Sequence, residues 1–381
     1  MQFKDIPGYD ALKQELIRLA RSGAVPHGML FDYADGMPAL HMAWAWAQYL
    51  NCEHPTEQDS CGTCPSCQKI ARLAHPDLFF SYPVVGAAKE DHPDDLFRAS
   101  FHEMLLSQDP YLSADTWTDI LDVGQSQPII NVRQVEGILE RLAYSISEAR
   151  YRVGIIYRAD TMNEPAANKF LKELEEPPER TVFILLSFKP EALLETILSR
   201  VQRFEWPTLS QEETQSVLLH YYPDTPPEAL EEAVRYAQGH PYDALVLRRN
   251  PEQLQDTRRE VSRLLQALLE RDVAAQKLYA DEMAEHGRVW CIALLTHLAK
   301  LTEQLLHARY TGQAMPLARA YPNPELLAQY FHLLGAPTAG QIYNLLQEAV
   351  QDIRGNVLSK LVLFNTFTLM TQTLAQAAAR V

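Results

Sequence analysis

Two hydrophobic periods divide the chain. Over roughly the first two thirds, short runs of consecutive apolar residues alternate with stretches whose apolar positions recur every three or four residues; from about residue 251 onward only the second pattern remains. Val153–Tyr157 and Thr181–Ser187 are runs of the first kind, rich in β-branched and large aliphatic residues, and predict strands covered on both faces. Between them lie a polar bend at Asp160 and helical spacing from Asn163 to Glu175. Pro177 and Pro178 end that helix, since proline lacks the amide donor and pushes the preceding residue out of the helical region. Strand, helix, strand in this order predicts a right-handed crossover in a parallel sheet. Upstream, Leu12, Leu16 and Leu19 set a helix over Asp10–Ser22, Gly28–Phe31 starts a first strand, and Leu40–Leu50 reads as a core helix.

Residues 129–150 predict a helix with Val135, Ile138, Leu139 and Leu142 on one side, and Arg203–Trp206 a further strand. A segment over 82–128 has loop-like ends, AAKEDHPDD and QDPYLSAD, around a short helix, Leu96–Leu106; it reads as a solvated cover or a partner contact. Ser210 and Glu213 form a capping-box pattern opening a helix, and Glu228–Gln238 gives another before Gly239. The expected architecture is an α/β domain over 1–207 with a parallel sheet, a small helical domain over 208–250 and an all-α domain over 251–381.

Composition narrows the class of partner. A length of 381 residues suits two or three domains, and 47% hydrophobic residues suffice for packed cores. The net charge of −15 argues against a broad basic groove that grips nucleic acid unaided, so protein partners fit better. No apolar run approaches the 18 residues of a membrane span and no signal-like leader opens the sequence, so a cytoplasmic protein is expected.

Four of the five cysteines change the picture again. Cys52, Cys61, Cys64 and Cys67 are spaced C-x8-C-x2-C-x2-C, with Gly62 and Pro65 in the tight turns, a module of about residues 51–68. In a reducing compartment this density points to metal rather than disulfides. Four thiolates suit a closed tetrahedral Zn2+ site that supports structure; an iron–sulfur cluster and unligated thiols are the competing readings. His54 and His75 lie near in sequence, but a fourth cysteine makes them unnecessary. Cys291 stands on an apolar helical face as a small buried hydrophobe.

The string from Ala159 and Asp160 through Asn168–Pro178 to Ser199 and Arg200 resembles the bacterial clamp-loader subunits of AAA+ type, whose pattern is an AD, an N-A-L-L-K-x-L-E-E-P-P and an S-R-C. Pro26, His27, Leu30 and Phe31 match the family's P-H-A-x-L-F, and the cysteine module followed by His75, Pro76 and Asp77 is similar too. The resemblance implies that residues 33–40 stand where active members carry the phosphate-binding G-x-x-x-x-G-K-T. Here Ala39 replaces the lysine, Leu40 the magnesium-holding hydroxyl, and Pro38 removes an amide donor. At the strand end written D-E-A-D in active relatives, this chain has Tyr157, Arg158, Ala159 and Asp160, and an arginine cannot accept a proton. Where active lids offer a nucleotide-contacting arginine, GHPYDALVL offers Tyr242 and Asp243. No ATP bound by this chain is expected.

The resemblance further implies that Arg200 reaches into a neighbouring subunit's ATP site, a role suited to a permanently charged planar group; the competing reading is a helix-end cation pairing with carbonyls or a surface acid. Residues 208–250 then correspond to the lid and 251–381 to the collar of such an assembly. The partners implied are the loader's ATPase and clamp-opening subunits, with the sliding clamp and primer-template DNA reached through the assembly and no membrane. The implied function is a non-hydrolysing, stator-like subunit of the DNA polymerase III clamp loader; an ATP-hydrolysing member of the family and a zinc-scaffolded adaptor outside replication are the alternatives.

Overall fold

Five short strands make one parallel sheet, in the order β2-β3-β4-β1-β5, in a computed structural model of the chain. The structure describes residues 1–86, 93–107, 109–121, 127–249, 251–311, 321–355 and 357–379. They divide into two compact units, Met1–Val246 and Leu247–Val381.

In the first unit the chain runs α1 (Asp10–Ser22), β1 (Gly28–Asp32), α2 (Ala39–Leu50), α3 (Pro65–Ala71), β2 (Leu78–Ser81), α4 (Pro93–Leu96), α5 (Arg98–Leu106), α6 (Ala114–Ile120) and α7 (Val132–Leu142). There follow β3 (Arg152–Ile156), α8 (Glu164–Glu175), β4 (Thr181–Ser187), α9 (Glu195–Leu198), β5 (Gln202–Glu205), α10 (Gln211–Tyr221) and α11 (Pro227–Ala237); α12 (Pro241–Arg249) spans the division. Strands β3 and β4 are buried along their whole length, as their unbroken apolar runs require, whereas β5 at the sheet edge buries only Phe204. Asn163 caps α8 by accepting from the Ala166 amide at 3.0 Å. Every residue of α2 is buried, Trp46 among the largest enclosed side chains.

Two expected helices are shorter. The stretch 129–150 is helical only as α7: Asn131 accepts from the Arg133 and Gln134 amides at its start. Beyond its end, the Asp77 carboxylate takes the amides of Ser147, Glu148 and Ala149, each at 2.9 Å, and holds them outside any helix. The Leu96–Leu106 helix is broken at Phe97, which separates α4 from α5. Within 82–128, the Phe101 ring stacks on Tyr82 at 3.9 Å and meets Trp117 edge-on at 5.2 Å, so this segment turns a built aromatic face inward. Residues 87–92, 108 and 122–126 of its loops lie outside the described residues.

The second unit comprises α13 (Pro251–Leu269), α14 (Val273–Glu285), α15 (Arg288–Thr311), α16 (Pro324–Leu333), α17 (Ala336–Arg354) and α18 (Ser359–Ala378). Its core is built from Leu264, Leu298, Ile342, Leu346, Phe367 and Met370, with Cys291 fully enclosed. Among the described residues, no helix is long and apolar enough to cross a membrane.

Candidate functional site

The four cysteines converge. Their Sγ atoms all lie within 4.8 Å of one another, and Cys61 and Cys67 stand 3.9 Å apart. Tetrahedral zinc with bonds of about 2.3 Å spaces its sulfurs at roughly 3.8 Å, so a modest contraction around one ion satisfies the set. Backbone amides already point at three of the sulfurs: Cys61 N to Cys52 Sγ at 3.1 Å, Cys64 N to Cys61 Sγ at 3.3 Å and Cys67 N to Cys64 Sγ at 3.5 Å. Burial works to raise the Cys61 thiol, but backbone hydrogen bonds from Thr63 and Cys64 outweigh it and bring the group down to about 6. Burial and neighbouring thiols push Cys67 up instead. One cation would favour the thiolate at both. The module is stitched to the start of the chain, because Asp59 accepts from the Phe3 and Lys4 amides at 3.1 and 2.9 Å.

Strand β1 leads into the loop at 33–40. Gly36 adopts φ +85°, and a Cβ placed on it would stand 2.4 Å from Cγ of Tyr242, at the start of α12. The ring therefore lies directly on the loop backbone. The Met37 amide is spent on Ala34 O at 3.1 Å and the Ala39 amide on Met37 O at 2.9 Å, Pro38 has none, and the Met37, Ala39 and Leu40 side chains are buried. A phosphate cradle needs outward-pointing amides, and these donors are turned inward.

Beside it, Arg158 is held at φ 56°, its guanidinium 4.3 Å from the Phe188 ring centre and 3.3 Å from the Asp160 carboxylate. Asp160 also accepts from Ser187 Oγ at 3.2 Å. Burial drives the Tyr157 and Tyr33 hydroxyls well above the ordinary tyrosine range, so neither supplies an anionic ligand. The acid that remains at this strand end is thus paired with an arginine of its own chain.

Arg200 follows α9. Its Nη1 donates to Thr196 O at 2.7 Å and to Ser199 Oγ at 3.2 Å, its Nη2 donates to the Glu175 carboxylate at the end of α8, and its side chain remains 32% exposed. Gly28 sets the spacing: a Cβ there would lie 3.1 Å from both Arg200 O and Val201 Cγ1. His27 closes the corner by donating Nε2–H to Leu174 O, 3.1 Å away in the last turn of α8. The structure thus brings the four cysteines together, places Tyr242 on the loop, and pairs Arg200 with Glu175 and the α9 corner.

A family model described as DNA polymerase III, delta subunit matches residues 8–210, more than half of the chain. The chain belongs to this DNA polymerase III delta subunit family. Its similar relatives include DNA polymerase III subunit delta' of Pseudomonas aeruginosa, 27% identical over 252 residues that cover 66% of this chain and 64% of that protein. Subunit delta' of Escherichia coli is 26% identical over 243 residues, covering 61% and 58%. Subunit tau of the same bacterium is 25% identical over 249 residues, covering 64% of this chain and 32% of tau. The chain thus spans less than two thirds of these relatives' own length. The family match takes in the four cysteines, the loop at 33–40, Arg158 and Arg200 and stops before Tyr242.

Two contacts of this delta-family chain escaped the sequence. The Tyr242 ring meets a loop some 200 residues earlier, a pairing no local pattern encodes. Glu175 left one local sign, an acid at a helix C-terminus where the dipole calls for a cation.

Proposed function

We propose that the chain is a subunit of the DNA polymerase III clamp loader that does not itself hydrolyse ATP and that supplies Arg200 to the ATP site of a neighbouring subunit. The observation that carries the inert half is the Tyr242 ring lying on Gly36, with loop amides turned to their own carbonyls where an active relative would hold phosphates. The trans-acting half is supported by Arg200 at the surface, a planar guanidinium able to bracket the γ-phosphate as charge develops. In this reading residues 1–207 are the AAA+ type domain, 208–250 its lid and 251–381 the collar domain that binds the ATPase and clamp-opening subunits, while the sliding clamp and primer-template DNA are met through the assembly in the cytoplasm.

The four-cysteine centre takes structural Zn2+, held by Cys52, Cys61, Cys64 and Cys67 with no open position for water. Metal analysis of the purified chain is expected to return about one equivalent of zinc; less than about half would count against the site. The function is tested in the reconstituted loader by comparing DNA- and clamp-stimulated ATP hydrolysis with the intact chain and with Arg200→Ala, assembly being checked by size-exclusion chromatography. The expected result is a large loss of stimulated hydrolysis with no ATP bound by the chain alone. Unchanged hydrolysis, or tight ATP binding by the isolated chain, overturns the proposal.

A further inference from the structure

Glu175 is the last residue of α8, and a carboxylate there faces the negative end of the helix dipole, an unfavourable place unless a cation answers it. Arg200 answers it through Nη2, while both hydrogen bonds from Nη1 stay on Thr196 and Ser199 of its own α9 corner. The guanidinium is therefore matched by groups of its own chain. A phosphate that takes this guanidinium brings a second anion to a group already matched by one, and the two anions repel at contact distance. One must give way. The corner itself is stiff, because Gly28 admits the Arg200 carbonyl against the start of β1 and His27 ties Leu174, the residue before Glu175, to the same place.

We propose that Glu175 is a latch: its carboxylate parks Arg200 on the subunit's own α8 and releases it only when a neighbour's nucleotide is pressed close enough to take the guanidinium. The inference rests on the role proposed above for Arg200. The pair is partly exposed on both sides, with side-chain exposures of 32% and 47%, which keeps the latch weak and releasable. Glu175 acts through Arg200, not on the reacting atoms, so it is a positioning residue.

The test uses the complete reconstituted loader carrying Glu175→Gln, Arg200→Ala or both, with ATP hydrolysis measured in the absence of DNA and clamp and then with both present. Glu175→Gln keeps the shape and removes the charge. It is expected to raise unstimulated hydrolysis roughly two- to fivefold, the range available to an exposed ion pair, while changing the stimulated rate little. The gain is expected to shrink at high salt, which screens the wild-type pair, and to vanish in the Arg200→Ala background. An unstimulated rate equal to or below that of the unaltered loader, or a gain that survives Arg200→Ala, overturns the latch. Loss of stimulated hydrolysis with Arg200→Ala but no gain with Glu175→Gln removes the latch alone. Unchanged hydrolysis with Arg200→Ala removes the assignment of Arg200 and the latch together.

Discussion

The two ends of β1 have opposite fates. At its carboxyl end and the neighbouring end of β3, where open parallel sheets usually bind ligands, the chain sets its own groups against one another: Tyr242 on Gly36, Asp160 on Arg158, Met37 and Ala39 amides on nearby carbonyls. At its amino end Gly28 brings the Arg200 corner against the sheet and leaves the guanidinium partly in solvent. Under the function proposed above, the first end would bind no nucleotide of its own and the second would offer its cation to a neighbour's.

The comparison breaks first at Arg200. An arginine completing a neighbour's site is worth on the order of 10³-fold in hydrolysis at that site, so Arg200→Ala should remove most of what the site contributes. Arg200→Lys should recover only part, since an ammonium lacks the planar fork; full recovery in the ATPase assay would mean that charge alone suffices. At the other end, Gly36→Ala forces a Cβ into the Tyr242 ring at a backbone angle that L-residues avoid. It should cost the chain about 2–4 kcal/mol, read as a lower unfolding midpoint in denaturant. An unaffected midpoint would show the ring to be loosely held and the closure to be superficial.

The smallest effect concerns pH. His41 on α2 is fully buried and donates Nε2–H to Leu105 O at 3.1 Å, and burial lowers its pKa from 6.5 to about 4. The unfolded chain takes up the proton first as pH falls, so the stability tied to neutral His41 is intact above pH 6.5 and is lost progressively down to about pH 4. The loss amounts to about 1–3 kcal/mol. His41→Gln should flatten the unfolding midpoint between pH 6.5 and 4 relative to the unaltered chain; parallel slopes would place the proton elsewhere.

What could be read beforehand was whatever short stretches decide. Thr181–Ser187 is a strand because seven consecutive residues suit burial on both faces, and the cysteines converge because two-residue spacings across Gly62 and Pro65 leave the chain few other courses. The helix over 129–150 was overextended because what stops it, Asp77 collecting the 147–149 amides, arrives from some seventy residues away. That Ala39 and Leu40 stand where active members carry lysine and a hydroxyl is what the family resemblance implies. That a tyrosine from α12 covers the loop at 33–40 is a tertiary fact, as is the bond between Glu175 and Arg200.

The strand order also bears on how the molecule is made. β1 is synthesised well before both strands that flank it, β4 and β5, which are encoded after residue 180. At ordinary rates of translation it waits roughly ten to thirty seconds for partners, and α2, every residue of which is buried in the folded chain, waits with it. The growing chain thus holds this apolar surface uncovered until the later strands arrive, the interval in which an unpaired strand is most exposed to association with other chains.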